Sequence, residues 1–219
     1  MENRPAKRQT KEAKKKLLIA MAIIFGVLLL LTGASYLIDW IEQGRGSIVN
    51  EDKEINYQFY PADFEENIFQ NAAYLKLLDD GKIYIDFKEG GLTLGILRED
   101  AYKYGADLKL IVDALYAVIY GDNDQYNEYF SDKYYKTRKP KGEFTMQMLH
   151  NIKIERISSE KTSSDDSGEY TKSIFTVEYQ IFRNNGTFRK DIGEGSKKQY
   201  ITITDQSGQW RIDSIATVN

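Results

Sequence analysis

The chain has 219 residues, no cysteine, one histidine and a net charge of −3. The missing cysteines exclude disulfides, thiol nucleophiles, thiolate metal sites and a lipidated cysteine, and one histidine cannot build the common zinc sets. The charge is unevenly spread: residues 1–16 carry seven basic and two acidic side chains, net +5, which leaves −8 for the rest.

In chain order, residues 1–16 read as a basic cytoplasmic tail. Leu17 to Ile38 is an uncharged run of 22 residues, about 33 Å long as a helix and enough to cross a hydrocarbon core of about 30 Å. Thr32-Gly33-Ala34 resembles a signal-peptide cleavage site, but the apolar run exceeds a usual h-region and continues to Ile41. Tyr36 and Trp40 sit where interfacial aromatics belong. The expectation is an uncleaved single-pass anchor in the cell membrane. Lys and Arg beside a span resist translocation, so the N-terminus is expected in the cytoplasm and the following domain outside. The tail is read as the topology determinant rather than as a nucleic-acid site, since no aromatics interleave its charges. The absence of disulfides fits a bacterial envelope protein better than a small secreted eukaryotic domain.

Residues 39–62 read as a charged, Gly-containing juxtamembrane linker, and 63–219 as the extracytoplasmic domain. Phe64 to Leu78 carries apolar residues at 64, 68, 69, 72, 75 and 78, which predicts a helix entered at Asp63. Lys82 to Phe87 and Leu92 to Ile96 alternate around Glu89-Gly90-Gly91, a short hairpin. Arg98 to Gly121 predicts a helix broken at Gly105, with a strong second part over about 106–120 and Gly121 at its C-terminal cap. Asp122-Asn123-Asp124 then caps a short helix. Strands are predicted over 144–157, 174–183, 187–192, 198–204 and 209–215, with turns at Asn184-Asn185-Gly186 and at 205–208. Ser158 to Glu169 reads as a polar loop.

Ala117-Val118-Ile119-Tyr120-Gly121-Asp122 followed by Tyr126-Asn127-Glu128-Tyr129-Phe130-Ser131 resembles the helical half of the NTF2-like superfamily. The closing Gln209-Trp210-Arg211-Ile212-Asp213-Ser214-Ile215 is similar to that superfamily's last strand. The resemblance spans roughly 64–215; the hairpin at 82–97 departs from the simplest members. It implies an α+β fold in which helices pack on a strongly curved antiparallel sheet to form an open-mouthed cone. Members include enzymes, scaffolds, transport factors and membrane-anchored secretion-system subunits, so the fold assigns no function and no catalytic residue.

The chemistry is thin. His150 could exchange protons beside Asp113 or Asp132, as an Asp or His inside the cone does in enzymes of that superfamily; a half-exposed strand histidine is the plainer reading. Asp122-Asn123-Asp124 looks like the start of a calcium loop but lacks the glycine and distal glutamate of that pattern, which favours helix capping. Gly193-Glu194-Gly195-Ser196 is no nucleophile elbow, and no phosphate loop is present. Eight tyrosines between Tyr102 and Tyr135 suit a wet-rimmed core or an interface. The basic stretch Lys133 to Lys141 suits a solvated loop or an acidic partner. No catalytic, cofactor-binding or metal residue is therefore assigned. The expected function is a non-enzymatic binding or scaffold domain of a bacterial cell-envelope assembly, held by lipid contact through 17–38, with a protein partner or self-association and no nucleic acid. The alternatives are a pocket enzyme using His150 with a carboxylate, and a subunit of a conjugation or secretion channel.

Overall fold

A computed structural model describes residues 57–164 and 168–217. The expected tail, the anchor over 17–38 and most of the linker lie outside these residues. Among the described residues no helix is long and apolar enough to cross a membrane.

The chain forms a mixed α+β fold around one curved six-stranded sheet, with strands ordered β2-β1-β3-β4-β5-β6. The strands are β1 (Ile85–Glu89), β2 (Leu92–Ile96), β3 (Met148–Ser164), β4 (Gly168–Phe182), β5 (Gln199–Thr204) and β6 (Arg211–Thr217). The helices are α1 (Ala72–Leu75), α2 (Ala106–Tyr120), α3 (Asn123–Glu128) and α4 (Asp132–Tyr135), with 3-10 turns at Ile68–Gln70 and Arg98–Tyr104.

The long helix α2 dominates the helical layer, because its apolar residues cover more than one face and eleven of its fifteen residues are buried. Leu108, Ile111, Leu115 and Val118 meet a sheet face built from Phe87, Ile154, Phe175, Val177 and Tyr179, all in one core cluster. Its C-terminus closes as a Schellman cap: Asp122 N–H donates to the Ala117 carbonyl and Gly121 N–H to that of Val118. Gly121 takes the left-handed conformation this cap requires (φ 69°). A Cβ there would also stand 2.8 Å from the Met146 backbone nitrogen, so glycine is what lets the segment entering β3 lie against the helix end. The expected helix at 106–120, its break at Gly105 and its Gly121 cap are all observed.

Several expectations need correction. Phe64 to Leu78 is not one helix. Asn67 and Asn71 both adopt extended backbone and turn their side chains onto the following N–H groups, the competition by which Asn interrupts helices. Ile68 and Tyr74 are buried, while Phe64 and Phe69 are exposed. Ser158 to Ser164 is strand, not loop: it pairs residue by residue with Gly168 to Ile174. This arm of the β3–β4 ribbon is polar on both faces, so it has the composition of a loop although its backbone is laddered. Thr187 to Ile192 is not a strand. The Asn184 side chain takes over its backbone, donating to the carbonyls of Arg189, Ile192 and Gly193 and accepting from Gly186 N–H. The strand expected over 144–157 begins only at Met148.

The sheet is not wholly antiparallel. β1 runs parallel to β3, with Ile85 opposite Ile152 and Phe87 opposite Ile154. The connection from β1 to β3 passes through β2 and all of α2–α4, long enough for the crossover that a parallel pair needs. Register shifts at His150/Lys153 and Arg156/Ser158 interrupt β3, and Asn151 takes positive φ (51°) at the first. Such bulges bend a strand.

Part of the expected linker belongs to the domain. Tyr60 N–H donates to the Asn184 carbonyl (3.0 Å), and the Arg183 guanidinium lies 5.1 Å from the Tyr60 ring centre. A Cβ on Gly186 would stand 2.9 Å from the Phe59 ring. Residues 57–63 therefore form a strap docked on the 184–193 loop.

Candidate functional site

The space between α2 and the sheet is largely filled. A residual cavity of about 30 Å³ remains among Leu115, Val118, Tyr126, Val177, Tyr179 and Ile201. At roughly 10–15 Å³ for each water, that is room for about two or three water molecules. Around its end stands an aromatic cluster. Tyr126 meets Phe144 and Phe188 edge-on, with centroids 5.9 and 5.4 Å apart, and Phe130 packs on Tyr134 at 4.3 Å. Burial pushes the Tyr126 hydroxyl well up from its usual range and raises that of Tyr179, which suits groups embedded in a core. Most of the clustered tyrosines thus serve core and rim; Tyr102 and Tyr120 are exposed.

The sequence-derived candidates do not converge. His150 is half-buried on β3, opposite Gln180. Burial lowers its pKa, and the nearby Glu194 charge acts the other way. Asp113 is occupied elsewhere: it accepts from Arg98 Nε at 3.1 Å and from the Lys109 ammonium. Asp132 lies exposed in the first turn of α4. Asp122 caps α3, its Oδ1 accepting from Gln125 N–H at 2.9 Å. No group of three or more metal-ligating side chains occurs among the described residues.

The basic stretch is partly structural. Ser131 caps α4. Tyr135 donates to the Asn127 carbonyl at 2.7 Å. Lys141 donates to the Phe188 carbonyl and lies 5.0 Å from that ring. Burial lowers the Lys141 pKa, with Lys190 adding to the effect. Lys136, Arg138 and Lys139 remain exposed.

A second concavity was not foreseen. A cleft of about 270 Å³ opens between the strap and the adjoining parts of β3 and β4. Tyr60, Met146, Met148 and Phe182 supply apolar wall, and Asp63, Glu66 and Arg183 supply charge. Both acids are anchored by one oxygen. Asp63 Oδ1 accepts from Glu65 N–H, and Glu66 Oε1 accepts from Asn71 Nδ2. Gln147, 1% exposed, also lines the cleft. Its Nε2 faces Thr145, Asn185 and Thr187 oxygens at 2.8–3.4 Å. Its Oε1 is buried without a donor among the described residues. A buried acceptor left this way is costly unless a bound group supplies the hydrogen bond. The cleft joins three segments distant in sequence, and the only local signal, a polar Gln between two methionines, is indistinguishable in sequence from ordinary strand alternation.

No family model, curated protein or solved structure matches the chain.

Proposed function

We propose that this is the extracytoplasmic binding domain of a single-pass bacterial membrane protein, acting without catalysis as a scaffold in a cell-envelope assembly. In this reading residues 17–38 anchor the chain in the lipid, 1–16 remain in the cytoplasm, and the domain is a filled variant of the NTF2-like cone. The observation that carries it is the packed interior: with about 30 Å³ between α2 and the sheet, no substrate fits where a pocket enzyme of this shape would work. Asp113, one carboxylate that His150 could have used for proton transfer, is instead held by Arg98 and Lys109. A mixed α+β fold around a curved sheet and the charge contrast of +5 against −8 are consistent with the same reading.

Two measurements test it. Crosslinking in intact membranes, followed by purification, should recover an adduct with a second polypeptide or a second copy; a chain that stays uncrosslinked at every linker length refutes the scaffold reading. A reporter fused after Asn219 should be active only outside the cytoplasm, and cytoplasmic activity overturns the orientation.

A further inference from the structure

We propose that the cleft beneath the strap receives a basic side chain, lysine or arginine, presented by a protein partner. The inference rests on the binding reading above and names the chemistry that would do the binding.

Size comes first. Small-molecule and cofactor sites run to roughly 300–1,000 Å³. At about 270 Å³ the cleft lies at the small end of that range and has room for one long side chain. Its walls suit a methylene stem: Met146 and Met148 bring adaptable thioethers, and Tyr60 and Phe182 bring ring faces. Lysine and arginine are the side chains that pair an apolar stem with a charged donor head.

The polar groups discriminate further. Asp63 and Glu66 place two carboxylates on the cleft, against one cation, Arg183. An anionic ligand would meet an excess of like charge. A purely apolar ligand would desolvate the Asp63 and Glu66 carboxylates and offer them no donor. An ammonium or guanidinium head answers both conditions, because it is donor-only and positive. The Arg183 guanidinium, which lies over the Tyr60 ring, then opposes entry of a second cation.

The chain contains four methionines, Met1, Met21, Met146 and Met148, and two of them line the cleft. Full-length protein labelled with carbon-13 at the methionine methyls therefore gives two reporters in the cleft. Nα-acetyl-lysine methylamide and its arginine counterpart should shift the Met146 and Met148 signals saturably. The norleucine analogue, which has the stem without the ammonium, and the glutamate analogue should leave both in place. Asp63→Asn and Glu66→Gln keep the anchoring amide oxygen and remove only charge; each should raise the Kd about threefold, and Arg183→Gln should lower it about threefold. Equal shifts from the norleucine or glutamate probe, or silence at saturating lysine probe, overturn the proposal. Stronger shifts from spermidine than from the lysine probe overturn the assignment to a protein side chain. A partner recovered by crosslinking with silent methionines sinks this inference alone, whereas failure of both sinks the binding reading as well.

Discussion

Two aspartates six residues apart on α2 are distinguished only by their surroundings, and Asp107→Ala tests whether those surroundings set stability. Asp107 is 5% exposed. Its Oδ1 accepts from Leu108 N–H and Arg156 Nη2, both at 2.8 Å, and its Oδ2 from Ser173 Oγ at 2.7 Å. Arg156 also donates to the Tyr104 carbonyl at 2.6 Å and to Glu89, and lies 5.1 Å from the Phe175 ring centre. Breaking a buried pair from one side costs about 3–5 kcal/mol, because the surviving charge stays in the interior. Here Glu89 and the Tyr104 carbonyl still face Arg156, and Ser173 keeps Ser159 at 2.9 Å. The lower end, about 3 kcal/mol, is therefore expected. Asp113→Ala breaks contacts to Arg98 and Lys109, which are 36% and 49% exposed, and should cost only about 0.5–1 kcal/mol.

The assay is urea unfolding of the full-length chain, followed by far-ultraviolet circular dichroism. The double variant Asp107→Leu, Arg156→Met should cost less than Asp107→Ala, since replacing both charges leaves none stranded. An Asp107→Ala cost no larger than that of Asp113→Ala, or a double variant worse than the single, would refute the argument from desolvation.

Other expectations rest on separate features. Gly121→Ala combines positive φ with a Cβ 2.8 Å from backbone; it should cost about 2–4 kcal/mol in the same urea assay, and a loss below about 1 kcal/mol would mean that the 144–147 segment yields freely. Tyr74→Phe removes the buried 2.7 Å bond to the Leu149 carbonyl and should lower stability by about 1–2 kcal/mol; no change would mean that solvent reaches that carbonyl. Burial lowers the His150 pKa below the ordinary 6.5, so the folded state disfavours the imidazolium. Its contribution is intact above pH 6.5 and is lost as the pH falls from there through the folded value. His150→Phe should flatten that part of the stability–pH curve relative to the parent, and an unchanged slope refutes the assignment.

Legibility in the sequence followed how local the determining physics was. The helix at 106–120 and its stop at Gly121 were readable because periodicity and a left-handed cap are short-range signals. The β1–β2 hairpin was readable for the same reason, although β1 begins at Ile85 rather than Lys82. Helix periodicity misled at 64–78, where Asn67 and Asn71 each spend a side chain on the backbone. Composition misled at 158–164, because Ser, Lys and Thr populate a two-sided polar ribbon as readily as a loop. The parallel β1–β3 pairing left no local trace, since it depends on a crossover of more than fifty residues.

The same distinction explains why the sites divided as they did. His150, Asp113 and Asp132 stand out by residue type, and the fold commits them to separate environments. Asp63, Glu66, Gln147 and Arg183 are unremarkable by type, and the fold brings them onto one cleft. What joins them is the strap, which reaches the cleft because Tyr60 pairs with Asn184, while Asn184 shapes the 184–193 loop that receives it. One residue just past β4 therefore organises both, its side chain shaping the loop and its main-chain carbonyl receiving the strap. Asn184→Ala keeps the carbonyl that Tyr60 uses but removes the side-chain bonds that shape the loop under the strap, so the strap should loosen with the loop and the Met146 and Met148 methyls should both shift in that variant without any ligand. If they hold their positions while the domain stays folded, the strap is not what encloses the cleft, and the coupling argued from Asn184 fails.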